Sequence, residues 1–96
     1  MNYAEMFVGS WLATYMPVGV LEVVPETEGT ASTVLYDHFA AYVEAIKTGG
    51  LAKAQTPSIT AWGRRMTELG YPPRSTATHK TRPLRLIAAR GVGLGA

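Results

Sequence analysis

The chain has 96 residues, of which 47% are hydrophobic, 17% are charged and none is cysteine. This length predicts one small domain, and the lack of cysteine excludes a disulfide framework and any thiolate metal site. We expect a cytoplasmic protein, because no basic segment precedes an apolar run as in a secretory signal. The longest uncharged run, 6–21, is shorter than the roughly 20 residues that a bilayer requires, so no membrane span is expected.

Charge is distributed unevenly along the sequence. Residues 1–48 contain six acidic residues and one basic residue, whereas residues 49–96 contain eight basic residues and one acidic residue. A basic half on a small domain indicates a polyanionic partner. An ordinary solvated surface is the alternative explanation for such a run of charge.

The first predicted helix spans about 3–15, where Phe7 and Trp11 lie one turn apart. Residues 18–24 are apolar and mostly β-branched, which fits either a short strand or a packed extended loop. The turn-rich acidic segment 25–29 then leads towards a second helix.

The second predicted helix begins near Ser32 or Thr33 and ends at about Lys47, before two glycines. Its apolar residues recur at helical spacing: Leu35, Phe39, Tyr42 and Ile46. A connection of about five residues, 51–55, is expected to follow.

The third predicted helix covers about 57–69, with Thr56 as its N-cap and Pro57 at its first position. One apolar stripe runs along it: Ile59, Trp62, Met66 and Leu69. We expect this stripe to be buried against the first two helices. The opposite face carries Thr60, Ala61, Arg64 and Glu68, with Arg65 on its flank.

A marginal basic hairpin over about 71–88 is predicted from two polar, β-compatible runs, 71–76 and 81–87. The glycine-rich segment 90–96 predicts a disordered tail, so the domain is expected to cover 1–89. The predicted fold is therefore mainly α with a small β hairpin, an α+β class. Three helices followed by a basic hairpin, or wing, form the outline of a winged helix-turn-helix.

Two of these helices and the hairpin resemble a known family. The second helix supplies Leu35, Tyr36, Phe39 and Tyr42. The third supplies an aromatic residue, basic residues and a hydrophobic-x-x-x-Gly-aromatic pattern: Trp62, Arg64, Arg65, Met66, Leu69, Gly70 and Tyr71. The basic run ends at Leu84 and Leu86. Over about 5–88 the chain resembles the winged-helix C-terminal domain of phage and plasmid primase–helicase proteins.

That resemblance implies a winged-helix fold and engagement of nucleic acid. Because the 96 residues contain neither a primase nor a helicase module, we expect a free-standing DNA-binding protein of phage or mobile-element type. It would act as a regulator or a replication accessory, binding double-stranded DNA as a monomer or a homodimer.

In such a protein the recognition helix, about 57–69, enters the major groove, and the wing contacts phosphates. Arginine bonds guanine bidentately, glutamine reads adenine, and alanine contacts the thymine methyl group. The helix candidates are Gln55, Ser58, Thr60, Ala61, Arg64 and Arg65. The wing candidates are Arg74, Ser75, Thr76, His79, Lys80 and Arg82. Trp62 belongs to the apolar stripe and is assigned to the core rather than to base stacking.

Enzymatic chemistry has no signature in this sequence. His38 and Asp37 do not form a dyad, because adjacent helical residues point about 100° apart, and His79 lies in another element. With no nucleophile–base pair and no metal-ligand spacing, we expect neither an enzyme nor a bound metal or cofactor. The alternative function is a protein-binding winged helix that docks on a host or phage protein, as an inhibitor of the anti-CRISPR kind or an adaptor. Tyr3 and Tyr36 would then anchor the interface.

Overall fold

The computed structural model describes residues 3–48, 54–76 and 79–87. Within these ranges lie three α-helices: α1 (Tyr3–Tyr15), α2 (Ser32–Thr48) and α3 (Ile59–Glu68). Five short strands accompany them: β1 (Leu21–Val23), β2 (Thr30–Ala31), β3 (Arg74–Ser75), β4 (Lys80–Arg82) and β5 (Leu84–Leu86). The predicted α+β class is therefore confirmed. The predicted tail, 90–96, lies outside the described residues.

The strands form two small antiparallel sheets. β1 pairs with β5, and β4 lies between β2 and β3 in the second sheet. Pro83, between β4 and β5, has no N–H to donate to a ladder, and its carbonyl accepts a hydrogen bond from the Val24 N–H at 3.1 Å. The predicted strand 81–87 is therefore wrong as a single hairpin strand. It is divided at Pro83 between the two sheets.

Aromatic rings form the centre of the core. Trp11, Phe39 and Trp62, one from each helix, are all fully buried. The Trp11 ring meets Phe39 edge-on at 5.5 Å and Trp62 at 6.3 Å between centroids. Because each contact joins a different pair of helices, this cluster fixes where α3 lies against the rest of the fold.

The predicted apolar stripe of α3 is only half correct. Trp62 and Met66 are fully buried, whereas Ile59 is 43% exposed and Leu69 is 37% exposed. Ile59 is the first residue of α3 and Leu69 follows its last turn, so both lie beyond the stretch that faces the core. Ile46 is likewise only partly buried.

The start of α3 also differs from the prediction. Ser58, not Thr56, is the N-cap, and its side chain accepts a hydrogen bond from the Ala61 N–H at 3.2 Å. The Thr56 hydroxyl instead bonds to a Glu44 carboxylate oxygen at 2.5 Å, which makes it unavailable as a cap. α3 therefore begins at Ile59, two residues later than predicted, and the described part of its connection to α2 covers 54–58.

Tyr36 links that connection to the core. Its hydroxyl donates to the Pro57 carbonyl at 2.7 Å, and its ring meets that of Trp62 at 5.7 Å. The side chain is partly buried against the core, so only its exposed part is available for the interface contact expected from the sequence.

His38 is half-buried beside the core, and its hydrogen bond defines its tautomer. Its Nδ1 accepts a hydrogen bond from Trp11 Nε1 at 3.0 Å, which requires Nδ1 to be unprotonated and places the proton on Nε2. The Tyr15 ring packs edge-on against the imidazole at 4.8 Å. Burial lowers the pKa of His38 below its ordinary value of 6.5.

This geometry predicts a loss of stability in mild acid. Below pH 6.5 the unfolded chain binds a proton at His38 that the folded chain resists, so the free energy of unfolding falls as the pH falls. For one proton the slope is at most about 1.4 kcal/mol per pH unit. The measurement is urea unfolding, at several pH values, of the wild type and of His38→Asn, whose amide oxygen can still accept a hydrogen bond from Trp11. If the free energy of unfolding depends equally steeply on pH in both proteins, His38 is not the group responsible.

Candidate functional site

Ion pairs neutralise part of the basic half of the chain. Arg85 on β5 donates to Glu22 at 2.9 Å and to Glu28 at 3.0 Å. Arg65 pairs with Glu68 at 3.3 Å along α3. The antiparallel pairing of β1 and β5 thus brings the acidic first half against the basic second half, which reduces the charge separation seen in the sequence.

Three exposed basic side chains are not neutralised by an ion pair with any described residue. Arg64 on α3, Arg74 on β3 and Lys80 on β4 are exposed, and none of them forms an ion pair with a described residue. Arg64 and Lys80 both lie at the junction between α3 and β4.

A cleft of about 390 Å³ opens at this junction. One wall is the outer side of α3, another is β4, and the first residue of α2 closes one end. The lining residues are Ser32, Ile59, Thr60, Trp62, Gly63, Arg64, Thr67, Lys80 and Arg82. Three of them are basic and none is acidic, so the cleft favours a negatively charged group.

Arg82 lies at the base of the cleft and not on an exposed wing. The residue is only 8% exposed. Its Nη1 donates to Thr67 Oγ1 at 3.1 Å and to the Tyr71 carbonyl at 2.8 Å. Its guanidinium carbon lies 5.3 Å from the centre of the Trp62 ring, a cation–π contact. The expectation that Arg82 is an exposed phosphate contact like Lys80 is therefore corrected.

The positive charge of Arg82 is only partly compensated, because the guanidinium is buried and pairs with no described carboxylate. Desolvation lowers the pKa of the Arg82 guanidinium from its ordinary value. The group still keeps its proton, because an arginine is protonated at any pH at which proteins fold. Arg82 thus brings a fixed positive charge into the interior, next to the aromatic core.

Gly63 creates the space that Arg82 occupies. It is a buried glycine inside α3, a position that ordinarily costs about 0.5–1 kcal/mol relative to alanine. A Cβ at Gly63 would lie 2.8 Å from Arg82 Nη2, closer than such contacts normally come. The missing side chain is therefore explained by the close approach of the guanidinium.

Several polar atoms around the cleft have no hydrogen-bond partner. Ser32 Oγ, Trp62 Nε1 and Arg82 Nε are each buried and unpaired. All three belong to residues that line the same cleft. Buried polar groups are ordinarily paired, and leaving one unpaired costs about 1–3 kcal/mol. Their concentration at one place marks this cleft as a site.

The predicted site residues fall into three groups. Those on the surface are Gln55, Ser58, Thr60, Arg64, Arg74, Ser75, Thr76, His79 and Lys80. Ala61 and Arg65 are half-buried, because α1 packs beside that flank of α3. Arg82 is buried. The structure therefore brings Thr60, Arg64, Lys80 and Arg82 together in one cleft.

Gln55, Ser58 and Ala61 lie elsewhere. They line a second cleft of about 420 Å³ at the start of α3, together with Tyr3 of α1. The residues predicted for one helix face are thus divided between two depressions, because α1 covers the flank between them.

The hairpin also presents two different faces. Opposite residues of an antiparallel pair lie on the same face, and neighbours along a strand alternate. Ser75 pairs with Lys80 and Arg74 with Thr81, so Arg74 lies on the face opposite to Lys80. Arg74, Lys80 and Arg82 are therefore not one uniform basic ribbon.

Five cleft residues were not among the predicted contacts: Ser32, Ile59, Trp62, Gly63 and Thr67. Gly63 carried a usable signal, since a glycine inside an amphipathic helix suggests a close approach. Ser32 carried none, because its place beside α3 depends on how α2 packs.

Comparison of the chain with protein-family models, with curated proteins and with solved structures finds no match. Among the described residues, no helix is long and apolar enough to cross a bilayer. The same residues contain no group of three or more histidine or acidic side chains placed to hold a metal ion.

Proposed function

We propose that the chain is a winged helix-turn-helix protein that binds double-stranded DNA through α3 and the β3–β4 hairpin. The observation that carries this proposal is the cleft between α3 and β4, which has basic residues on both sides and no acidic lining residue. A double helix carries closely spaced negative charges on each side of a groove, and this arrangement of cations is complementary to them.

The outer side of α3 suits a recognition helix. Thr60, Arg64 and Thr67 are exposed and follow each other at i, i+4 and i+7, which places them on one stripe. The major groove is about 12 Å wide and admits one α-helix. In it, Arg64 would reach a base edge and Thr60 would offer a hydroxyl to a base or a phosphate.

The hairpin would act as the wing. It follows α3 in the chain, and β2, just before α2, pairs with β4 as the third strand of its sheet. Lys80, on the face towards the cleft, would contact the DNA backbone beside α3. Arg74, on the other face, would contact a phosphate farther away or none. Lys80 and Arg74 would therefore contribute differently to binding, whereas the sequence predicted the same role for all basic residues of the wing.

Arg64 and Lys80 are predicted to make different contributions to binding. Arg64→Ala should reduce discrimination at one base position by about 1–3 kcal/mol. Lys80→Ala should weaken binding to all sequences alike and lower the salt slope by about one. Fluorescence anisotropy with a selected duplex and a scrambled duplex, each at several salt concentrations, measures both effects.

The matched control is Arg85→Ala. It removes the same charge as Arg64→Ala, but from β5, where Arg85 is held by Glu22 and Glu28. DNA affinity should change least in this variant. If all three variants lose affinity equally, binding reflects net charge alone and α3 is not a recognition helix. If the wild type binds no duplex even at low salt, the DNA proposal fails.

A protein-binding role is the second candidate. The observation in its favour is the second cleft, where Tyr3 is 45% exposed beside the start of α3. Exposed aromatic residues are common anchors of protein interfaces. Capture of a partner protein that is abolished by Tyr3→Ala and unaffected by Lys80→Ala would favour this role over DNA binding.

A further inference from the structure

We infer that the cleft between α3 and β4 is a binding site for a phosphoryl group, in which Arg82 makes the main contact. In duplex DNA this group would be a backbone phosphate, and to that extent the inference rests on the proposed function.

The guanidinium of Arg82 presents one unpaired edge. Both of its hydrogen bonds are made by Nη1. Nε is buried with no partner, and no described residue accepts a hydrogen bond from Nη2. Nε and Nη2 form the side of the planar group that can donate two parallel hydrogen bonds to two oxygens of one anion.

The space beside this edge depends on Gly63. Nη2 lies 2.8 Å from the place that a Cβ would take on Gly63, and both residues line the cleft. An alanine there would displace the guanidinium or occupy the space at its free edge. The glycine thus keeps a recess open next to a buried donor pair.

Other unpaired polar atoms belong to residues that line the same cleft. Ser32 Oγ and Trp62 Nε1 are buried without partners, and Ser32 lies in the first turn of α2, where the helix dipole favours negative charge. Indole N–H and guanidinium N–H groups can only donate. The matching ligand must therefore be rich in acceptors.

Charge selects among such ligands. The lining contains Arg64, Lys80 and Arg82 and no carboxylate. A phosphoryl group meets both requirements, because its non-bridging oxygens accept hydrogen bonds and it carries negative charge, either as a backbone phosphodiester or as a terminal phosphate. Ile59 and Lys80 are exposed side chains at the lining. The proposal requires such side chains to change rotamer, which takes picoseconds to nanoseconds on a surface, so that a ligand can reach the buried edge of Arg82.

The first experiment measures thermal unfolding in sodium phosphate and in sodium chloride at equal pH and ionic strength. A ligand that binds only the folded state raises the Tm with its concentration. The wild type should therefore show a higher Tm in phosphate. An equal Tm in both salts, up to high phosphate concentration, overturns the inference.

Variants distinguish phosphate binding at a defined site from a general effect of phosphate on a positively charged surface. Arg82→Lys keeps the charge and loses the two-donor edge, so its apparent affinity for phosphate should fall about tenfold, as expected when a bidentate contact is lost. Gly63→Ala should also lose the response. Ser32→Ala removes a hydroxyl that makes no hydrogen bond; it should fold normally and respond more weakly. Arg85→Ala should respond like the wild type.

If Arg82→Lys, Gly63→Ala and Ser32→Ala all respond like the wild type, phosphate acts through general charge and the inference is overturned. If Arg82→Lys and Gly63→Ala fail to fold, the rise of the Tm in phosphate is compared between Ser32→Ala and Arg85→Ala, and this comparison still tests the site. An equal response in those two proteins overturns the site, and a weaker response in Ser32→Ala supports it.

A second experiment identifies the source of the phosphoryl group. If duplex DNA abolishes the response to free phosphate, the site takes a backbone phosphate, and both proposals are supported. If phosphate stabilises the protein but duplex DNA neither binds nor competes, the site takes the phosphoryl group of a small molecule, and the proposed function fails alone. If duplex DNA binds equally to the wild type and to Arg82→Lys, the DNA proposal survives and the phosphoryl site fails.

Discussion

Phe39→Ala is expected to lower the free energy of unfolding by about 3–5 kcal/mol, the usual cost of removing a large buried aromatic side chain. Phe39 is fully buried, and its ring contacts both Trp11 at 5.5 Å and Trp62 at 6.4 Å. The substitution would leave a cavity between all three helices. Urea unfolding followed by circular dichroism gives the change directly.

Val34→Ala is the matched control for this prediction. It shortens a side chain on the same helix, but Val34 is 47% exposed, so the free energy of unfolding should change by less than about 0.5 kcal/mol. A domain of this size has only about 5–15 kcal/mol of stability in total. If Phe39→Ala proved as mild as Val34→Ala, the aromatic cluster would not be the centre of the core.

Gly29→Ala is expected to lower the free energy of unfolding by about 1–3 kcal/mol or more, as overpacking does. The backbone of Gly29, at φ −68° and ψ 160°, is one that alanine adopts without strain. The obstacle is the neighbouring strand. A Cβ at Gly29 would lie 2.2 Å from the carbonyl oxygen of Arg82 and 2.8 Å from its carbonyl carbon. Both are backbone atoms, and neither can turn away as a side chain would.

Gly9→Ala supplies the control for the same chemical change. Gly9 lies in α1, and apart from its chain neighbours and the backbone of its own helix no described atom lies within 4 Å of its would-be Cβ, so this variant should gain about 0.5–1 kcal/mol. Thermal unfolding should therefore shift in opposite directions in the two variants. A Tm for Gly29→Ala equal to that of the wild type would mean that β2 and β4 are farther apart than described.

Gly29→Ala also has a functional consequence. Thr30 pairs with Arg82 across β2 and β4, so pushing these strands apart moves the backbone of Arg82. The response to phosphate should weaken even at temperatures at which the variant is still folded. The stability of the sheet and the geometry of the cleft thus depend on the same close approach.

Arg82 is hard to explain as a stabilising residue. It is buried with a cation–π contact and two acceptors but no carboxylate, and apolar residues often replace buried charges at no cost to stability. Residues that break the rules of a well-packed core commonly mark functional sites. The position of Arg82 supports the proposed phosphoryl site for this reason.

The sequence by itself determined the three helices and part of the core. α1 has the predicted bounds, and α2 differs by about one residue at its end. Leu35, Phe39, Trp62 and Met66 were assigned to the core and are all fully buried. Helical periodicity is a local property that records which face is apolar, so it needs no knowledge of the partner elements.

Only the tertiary structure decided which basic residues are available. Arg82 and Lys80 are two positions apart in one run of sequence, yet one is 8% exposed and the other is on the surface. Arg85 is likewise tied to acidic residues more than fifty positions earlier. Sequence patterns carry no record of contacts between distant segments. The sheet pairings and the gap at Gly63 determine which side chain is covered, which is paired and which can meet a ligand.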